Sequence, residues 1–272
     1  MAPTQNYSRY WLLLCLLIFS ACEEVTEWEL TPGDNGQLVV EAILTDERKF
    51  QEIRLSRSYD ELNGESSPIT DAIVSVRVAN QSVDFLPDPA DPGHYISERE
   101  FMVIRDLDFH LEIEWEGQSY SAVSRLSNVV PIPAISFIAD PDTNLLSLAE
   151  FAPLYNPNQQ AMYEVDIDWS QPNNDSLTQA KLFLYTFSTI DVSELVRPER
   201  EAVYFPPGSI VRVRKYGLND DYADYLRALV LETQWRGGPF YSDATSLPTN
   251  ISNGGLGFFS TCAVLEREVI AR

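Results

Sequence analysis

The sequence predicts a mostly β protein with one helix late in the chain. Three observations carry this. Short runs alternate apolar and polar residues, as half-buried strands do. Pro (17) outnumbers Gly (12), and Tyr and Phe stand at 13 each, a usage typical of strands separated by turns. Only one stretch, Asp220 to Trp235, repeats its apolar residues at helical spacing.

The elements follow in order. Pro32-Gly33-Asp34-Asn35-Gly36 is a turn cluster, and Gln37 to Leu44 reads as the first strand. Phe50 to Arg57 alternates as a half-buried strand should, and so does Ala72 to Val78. Between them, residues 60–71 form a polar loop containing Gly64 and Pro68. Ser82 to Leu86 is a short strand closed by the Pro- and Asp-rich run 87–93, after which His94-Tyr95-Ile96 resumes extended structure. Phe109 to Trp115 places Phe, Leu, Ile and Trp on one face, and Gly117 turns the chain into Ser119 to Val123. This makes roughly seven short strands in about 90 residues, the pattern of a small β-sandwich domain over 36–127.

Pro131 and Pro133 mark a stiff linker into a second β-rich domain, 128–272. Its strands are Ile135 to Ile138, Met162 to Trp169, Lys181 to Phe187, Ser209 to Tyr216 and a last one reaching Val264. The helix at about 220–235 has Asn219 or Asp220 as its cap and Gly237-Gly238-Pro239 as its stop.

The first residues carry an export signal. Arg9 precedes an apolar run from Tyr10 to Phe19, and Ser20-Ala21-Cys22 follows. A positive flank, a short apolar core and small residues before a cut define a secretory signal peptide, here 1–21. The run is shorter than the roughly 20 residues that span a bilayer. Phe19-Ser20-Ala21-Cys22 resembles the bacterial lipobox, although Phe19 stands where Leu is usual. A thiol there can carry a diacylglycerol thioether, and each buried CH₂ contributes about 0.8 kcal/mol of anchoring. Cys22 is therefore the expected lipidation site, followed by an acidic tether, 22–35. With Cys15 in the signal and Cys22 used for lipid, Cys262 is the remaining cysteine of three, and no internal disulfide is expected. Its apolar surroundings predict a buried small hydrophobe.

The charge excludes some partners. The chain carries 41 acidic and 19 basic residues, a formal net charge of −22. Such a surface repels nucleic acid and keeps an exported protein soluble.

Candidate constellations have plain alternatives. Asp140-Pro141-Asp142-Thr143-Asn144 begins like a calcium loop but has Leu145 and Phe151 where Gly and an acid are needed, so it reads as a solvated turn. Asp84, Asp88 and Asp91 suit a turn as well as a cation. Glu164, Asp166 and Asp168 share one strand face, and the reading is a wet surface rather than glycosidase carboxylates. Tyr95, Trp115, Trp169, Trp235 and Tyr241 are core aromatics unless they gather into a carbohydrate platform. The Gly-Gly-x-Gly run near the end lacks dinucleotide spacing and serves backbone turning. Asn250-Ile251-Ser252 fits a glycosylation sequon of a kind common by chance. No catalytic residue, cofactor or metal ligand emerges.

Leu38-Val39-Val40-Glu41, Ile53 to Arg57, Pro92-Gly93-His94-Tyr95, the Tyr-rich helix and Asn250-Ile251-Ser252-Asn253-Gly254-Gly255-Leu256-Gly257-Phe258-Phe259 together resemble the bacterial lipoproteins grouped as domain of unknown function 4249. The last segment is the most specific. The acidic run Glu23 to Glu29 looks like the surface-export tag of Bacteroidota lipoproteins. The resemblance implies an immunoglobulin-like β-sandwich followed by a second β-rich domain, at the outer membrane and facing the cell surface, often beside a TonB-dependent transporter. The expectation is a lipid-anchored, non-catalytic accessory protein that assists such a transporter or captures a ligand. The alternatives are an adhesive or structural spacer, or a hydrolase with an unrecognised site.

Overall fold

The computed structural model describes residues 36–58, 66–170, 178–189, 202–233 and 247–272. They belong to a compact unit that starts at Asn35.

The first seven strands are β1 (Leu38–Thr45), β2 (Glu52–Arg57), β3 (Ile73–Val78), β4 (Gln81–Pro87), β5 (His94–Ser97), β6 (Asp108–Trp115) and β7 (Gln118–Arg125). Their alternation works as read from the sequence. Leu38, Val40, Ala42 and Leu44 of β1 are buried with Phe109, Leu111, Ile113 and Trp115 of β6 in one core. An eighth strand comes from the far end of the chain. β14 (Leu256–Cys262) pairs in parallel with β1, from Val39↔Leu256 to Thr45↔Cys262. The sheet order is β14-β1-β2-β5-β4-β3-β6-β7.

The two outer strands of this sheet curl toward each other. Thr261 N donates to Ser124 Oγ at 3.0 Å, and Ser127 bridges to Cys262. The result is a single, nearly closed, barrel-like sheet. The mostly β reading holds, but the immunoglobulin-like division into two sheets is not what the hydrogen bonds draw. Curling one twisted sheet encloses the same apolar faces and leaves fewer open edges.

One end of this sheet is capped by residues 98–107, which run from β5 to β6. Val103 is buried in the core, and its N–H donates to Thr45 O at 2.9 Å. Gln51, fully buried, holds the cap. Its Nε2 donates to Thr45 O (3.1 Å), Glu47 O (3.0 Å) and Phe101 O (3.1 Å), while Oε1 accepts from Thr45 N (3.0 Å).

The second sheet is antiparallel, in the order β11-β10-β13-β15. Its strands are β10 (Ala161–Asp168), β11 (Gln179–Thr186), β13 (Ile210–Gly217) and β15 (Val264–Ile270). Tyr163, Val165, Ile167, Val211 and Val213 form one apolar face. A small third sheet, β12 (Tyr204–Phe205), β9 (Leu146–Leu148) and β8 (Phe137–Ala139), packs there through Phe205 and Leu146.

The helix α1 spans Asp220–Thr233. Asn219 caps it by accepting from Tyr222 N at 2.9 Å, and Asp220 and Asp221 sit favourably at the positive end of the helix dipole. Its buried residues Tyr222, Ala223, Leu226 and Val230 cluster with Met162, Tyr216, Phe258 and Cys262. The expected stop at Gly237-Gly238-Pro239 lies outside the described residues.

Candidate functional site

The most specific sequence segment, 250–259, forms the seam beside the near-closure of the first sheet. Asn250 behaves like a strand partner: its Nδ2 donates to Phe259 O at 2.8 Å and its Oδ1 accepts from Phe259 N at 3.0 Å. Its amide is thus committed to the fold. Ser252 N donates to Ser121 O (2.9 Å), Ser121 N donates to Ser252 Oγ (2.8 Å), and Asn253 Nδ2 donates to Ser119 O. Ile251 enters the core. A Cβ on Gly255 would lie 2.4 Å from Ile251 Cγ2, so glycine is needed for close packing. The segment therefore latches β7 to β14 through side chains where ladder hydrogen bonds give out.

The carboxylates of β10 are paired. Glu164 Oε1 accepts from Lys181 Nζ at 2.5 Å and Oε2 accepts from Tyr216 OH at 2.9 Å. Asp166 lies 3.4 Å from Lys181 Nζ, and Asp168 Oδ1 accepts from Ser170 N at 2.8 Å. On the same sheet Arg212 meets Glu268 at 2.8 Å and Glu266 at 3.4 Å. Arg214 reaches Glu47, a contact between the second sheet and the chain just after β1. Burial pushes the Glu164 carboxyl up, but the hydrogen bonds from Lys181 and Tyr216 and the nearby charges hold it below its ordinary value. A general acid needs the opposite shift.

The depressed Glu164 gives a pH prediction. A carboxyl with a lowered folded-state pKa stabilises the fold above its unfolded pKa, and loses that contribution as pH falls through the folded value. Glu164→Gln is expected to be less stable than the parent at neutral pH, with the gap closing in acid. Urea unfolding at a series of pH values checks this; a gap that stays constant below the ordinary glutamate range would count against it.

His94 lies among Glu52 of β2 and two acids of the loop before it. Glu52 lies 3.3 Å from Nε2, while Asp88 and Asp91 lie 3.9 and 3.8 Å from Nδ1. Asp91 is itself taken by Arg54, at 2.6 and 3.4 Å, and this hydrogen bond holds its carboxyl below the ordinary value. Asp84 stands apart, on β4 opposite Ser75. His110 is on β6, separated from β5 by β4 and β3. Asp140 closes its own turn by accepting from Asp142 N (2.8 Å) and Thr143 N (3.1 Å). Among the described residues, no group of acidic, His or Cys side chains has the arrangement of a metal site.

Three proposed platform aromatics are core residues: Tyr95, Trp115 and Trp169 are 0%, 4% and 6% exposed. Trp235 and Tyr241 lie outside the described residues, as does Cys22. Cys262 is buried beside α1, and burial pushes its thiol up to about 12. Such a thiol is neither a ready nucleophile nor a ready metal ligand.

Lys215 was missed by the sequence reading. It is only 2% exposed, its Nζ donates to Gln159 Oε1 at 2.9 Å, and it lies 5.2 Å from the Tyr163 ring centre. Burial lowers its pKa. The signal was available: period two puts Lys215 on the face of Val211 and Val213, not that of Arg212 and Arg214.

These features define a β-rich protein built on a latched, nearly closed sheet with a second sheet and a helix. The family model described as Domain of unknown function (DUF4249) matches residues 23–268, and the chain belongs to that family. Among curated proteins no match is found.

Proposed function

We propose that this is a lipid-anchored, non-catalytic accessory protein of the outer membrane, displayed at the cell surface, that assists a TonB-dependent transporter or captures a ligand. The observation that carries the reading is Phe19-Ser20-Ala21-Cys22 after a short apolar run, with acidic residues following. A lipid on Cys22 gives durable attachment without a membrane-spanning segment. The commitment of Glu164, Asp91 and Asn250 to ion pairs and seams supports a binding body over a hydrolase.

Intact mass and thiol titration on protein from native membranes test this together. The expected form begins at Cys22 with added acyl mass, and Cys22→Ser removes that mass and releases the protein. The anchored form is expected to show no reactive thiol when folded and Cys262 alone in denaturant. A mature chain with an unmodified Cys22 thiol would overturn the anchor. Cell or matrix binding that persists without the transporter would favour the adhesive spacer instead.

A further inference from the structure

Beside the cap of the first sheet lies an open groove of about 580 Å³ whose lining includes Val78, Phe101, Met102, Ile104, Arg48 and Arg99. Met102 and Ile104 are 44% and 54% exposed, which is unusual for large apolar side chains standing close together.

Outside the named strands, Phe101 makes an isolated antiparallel bridge to Lys49, and residues 102–104 follow it along the cap. Phe101 exchanges backbone hydrogen bonds with Lys49, and Val103 N donates to Thr45 O. In an extended segment the N–H and C=O groups of alternate residues point to opposite sides. Met102 and Ile104 therefore direct theirs away from β1, and neither makes a backbone hydrogen bond among the described residues. Unpaired edges with apolar side chains are templates for strand addition.

The charge of the groove differs from that of the chain. Acidic residues outnumber basic ones by 41 to 19 overall, yet the groove is lined by Arg48, Arg99 and a single acid, Glu100. The Arg48 side chain is 76% exposed and reaches Glu100 only at 3.9 Å. It remains available to a second carboxylate.

The groove also sits at the end of the sheet opposite the chain's entry. The seven residue steps of β1 from Leu38 to Thr45 span about 23 Å at roughly 3.3 Å per residue.

We infer that this edge and groove dock an extended segment of a partner protein, one that carries carboxylates beside apolar residues. Its backbone pairs with the edge at Met102 and Ile104, its apolar side chains enter the groove, and its acids meet Arg48 and Arg99. The inference rests on the reading of a partner-binding protein held at a membrane, and its test keeps the two apart.

A photo-crosslinking residue in place of Ile104, in the full chain in native membranes, is the probe. Met102 offers a second position, and Ile73, 68% exposed elsewhere on β3, is the control. The expected adduct maps by peptide mass spectrometry to one partner segment with Asp or Glu beside apolar residues, from the groove positions alone. Adding Arg48→Glu lowers its yield about tenfold through like-charge repulsion, with the circular dichroism spectrum unchanged. A lipid adduct, no adduct at either groove position, equal yield from Ile73, or indifference to Arg48→Glu would overturn the inference. An adduct formed by protein whose Cys22 is unmodified would keep the groove and remove the tether.

Discussion

Gly257→Ala is expected to unfold the first sheet, whereas Gly254→Ala, three residues earlier, is expected only to weaken it. Both glycines have positive φ, +80 and +76. An L residue there costs about 1 kcal/mol, and that cost is common to the two variants. The space around them differs. A Cβ on Gly254 would meet only Gln37 Nε2, at 3.9 Å. On Gly257 it would lie 2.1 Å from Val40 O and 2.9 Å from Val40 N, and these are backbone atoms of the paired strand. Relief requires β1 and β14 to separate. We expect a loss of about 4 kcal/mol or more for Gly257→Ala, a large share of the roughly 5–15 kcal/mol that holds a domain together. Urea midpoints of the two variants decide it. Equal losses would mean that the parallel pairing is looser than the geometry shows.

The severity follows from the position of β14. Its two faces serve different cores: Phe259 lies in that of the first sheet, and Phe258 and Cys262 in the cluster around α1. A strand buried on both faces reads as a continuous apolar run rather than an alternating one. Phe258-Phe259-Ser260-Thr261-Cys262-Ala263-Val264 has that look, so a last strand was legible in the sequence. Its partner was not. Parallel pairing between β1 and a strand more than 200 residues later leaves no local mark, because register is set by the assembled core. The seven earlier strands and α1 were legible because their signals are local: period two, period 3.6, a capping Asn and turn glycines. β15 escaped because Glu266-Arg267-Glu268 looks like a solvated end. Its acids become sensible only opposite Arg212 and Arg214 on β13. The 250–259 segment stood out as distinctive, but its work as a latch depends on Ser119 and Ser121, far away in sequence. The exposed edge at Met102 and Ile104 was likewise hidden, since nothing local says which backbone groups find partners.

The other large effect is expected at Gln51. Four hydrogen bonds from one buried amide hold the turn after β1 and the cap at Phe101 together. Gln51→Met keeps the shape but orphans Thr45 N and Glu47 O where water cannot easily replace the amide, while Thr45 O and Phe101 O each keep one backbone donor, Val103 N and Lys49 N. Each unsatisfied group costs about 1–3 kcal/mol, and partial relaxation brings the expected loss for the two to about 2–4 kcal/mol. Gln51→Glu separates the donors from the acceptor. Its carboxylate can still accept from Thr45 N, but a second charged oxygen then faces the carbonyls that Nε2 satisfied. Protonation turns one oxygen into a donor. The sign is therefore opposite to that at Glu164: the Glu variant's carboxyl has a raised folded-state pKa, so its stability relative to the parent improves as pH falls. Gln51→Met, with nothing to titrate at that position, keeps a constant deficit. Hydrogen exchange at Val103, whose N–H is bonded to Thr45 O, reads the cap directly and should quicken in both variants at neutral pH. Protection there that matches the parent in Gln51→Met would show that Val103 and Phe101 hold the cap by packing alone. Slowing of exchange in Gln51→Glu on acidification, beyond the intrinsic pH effect measured in the parent, would tie the cap to the donors of this one side chain.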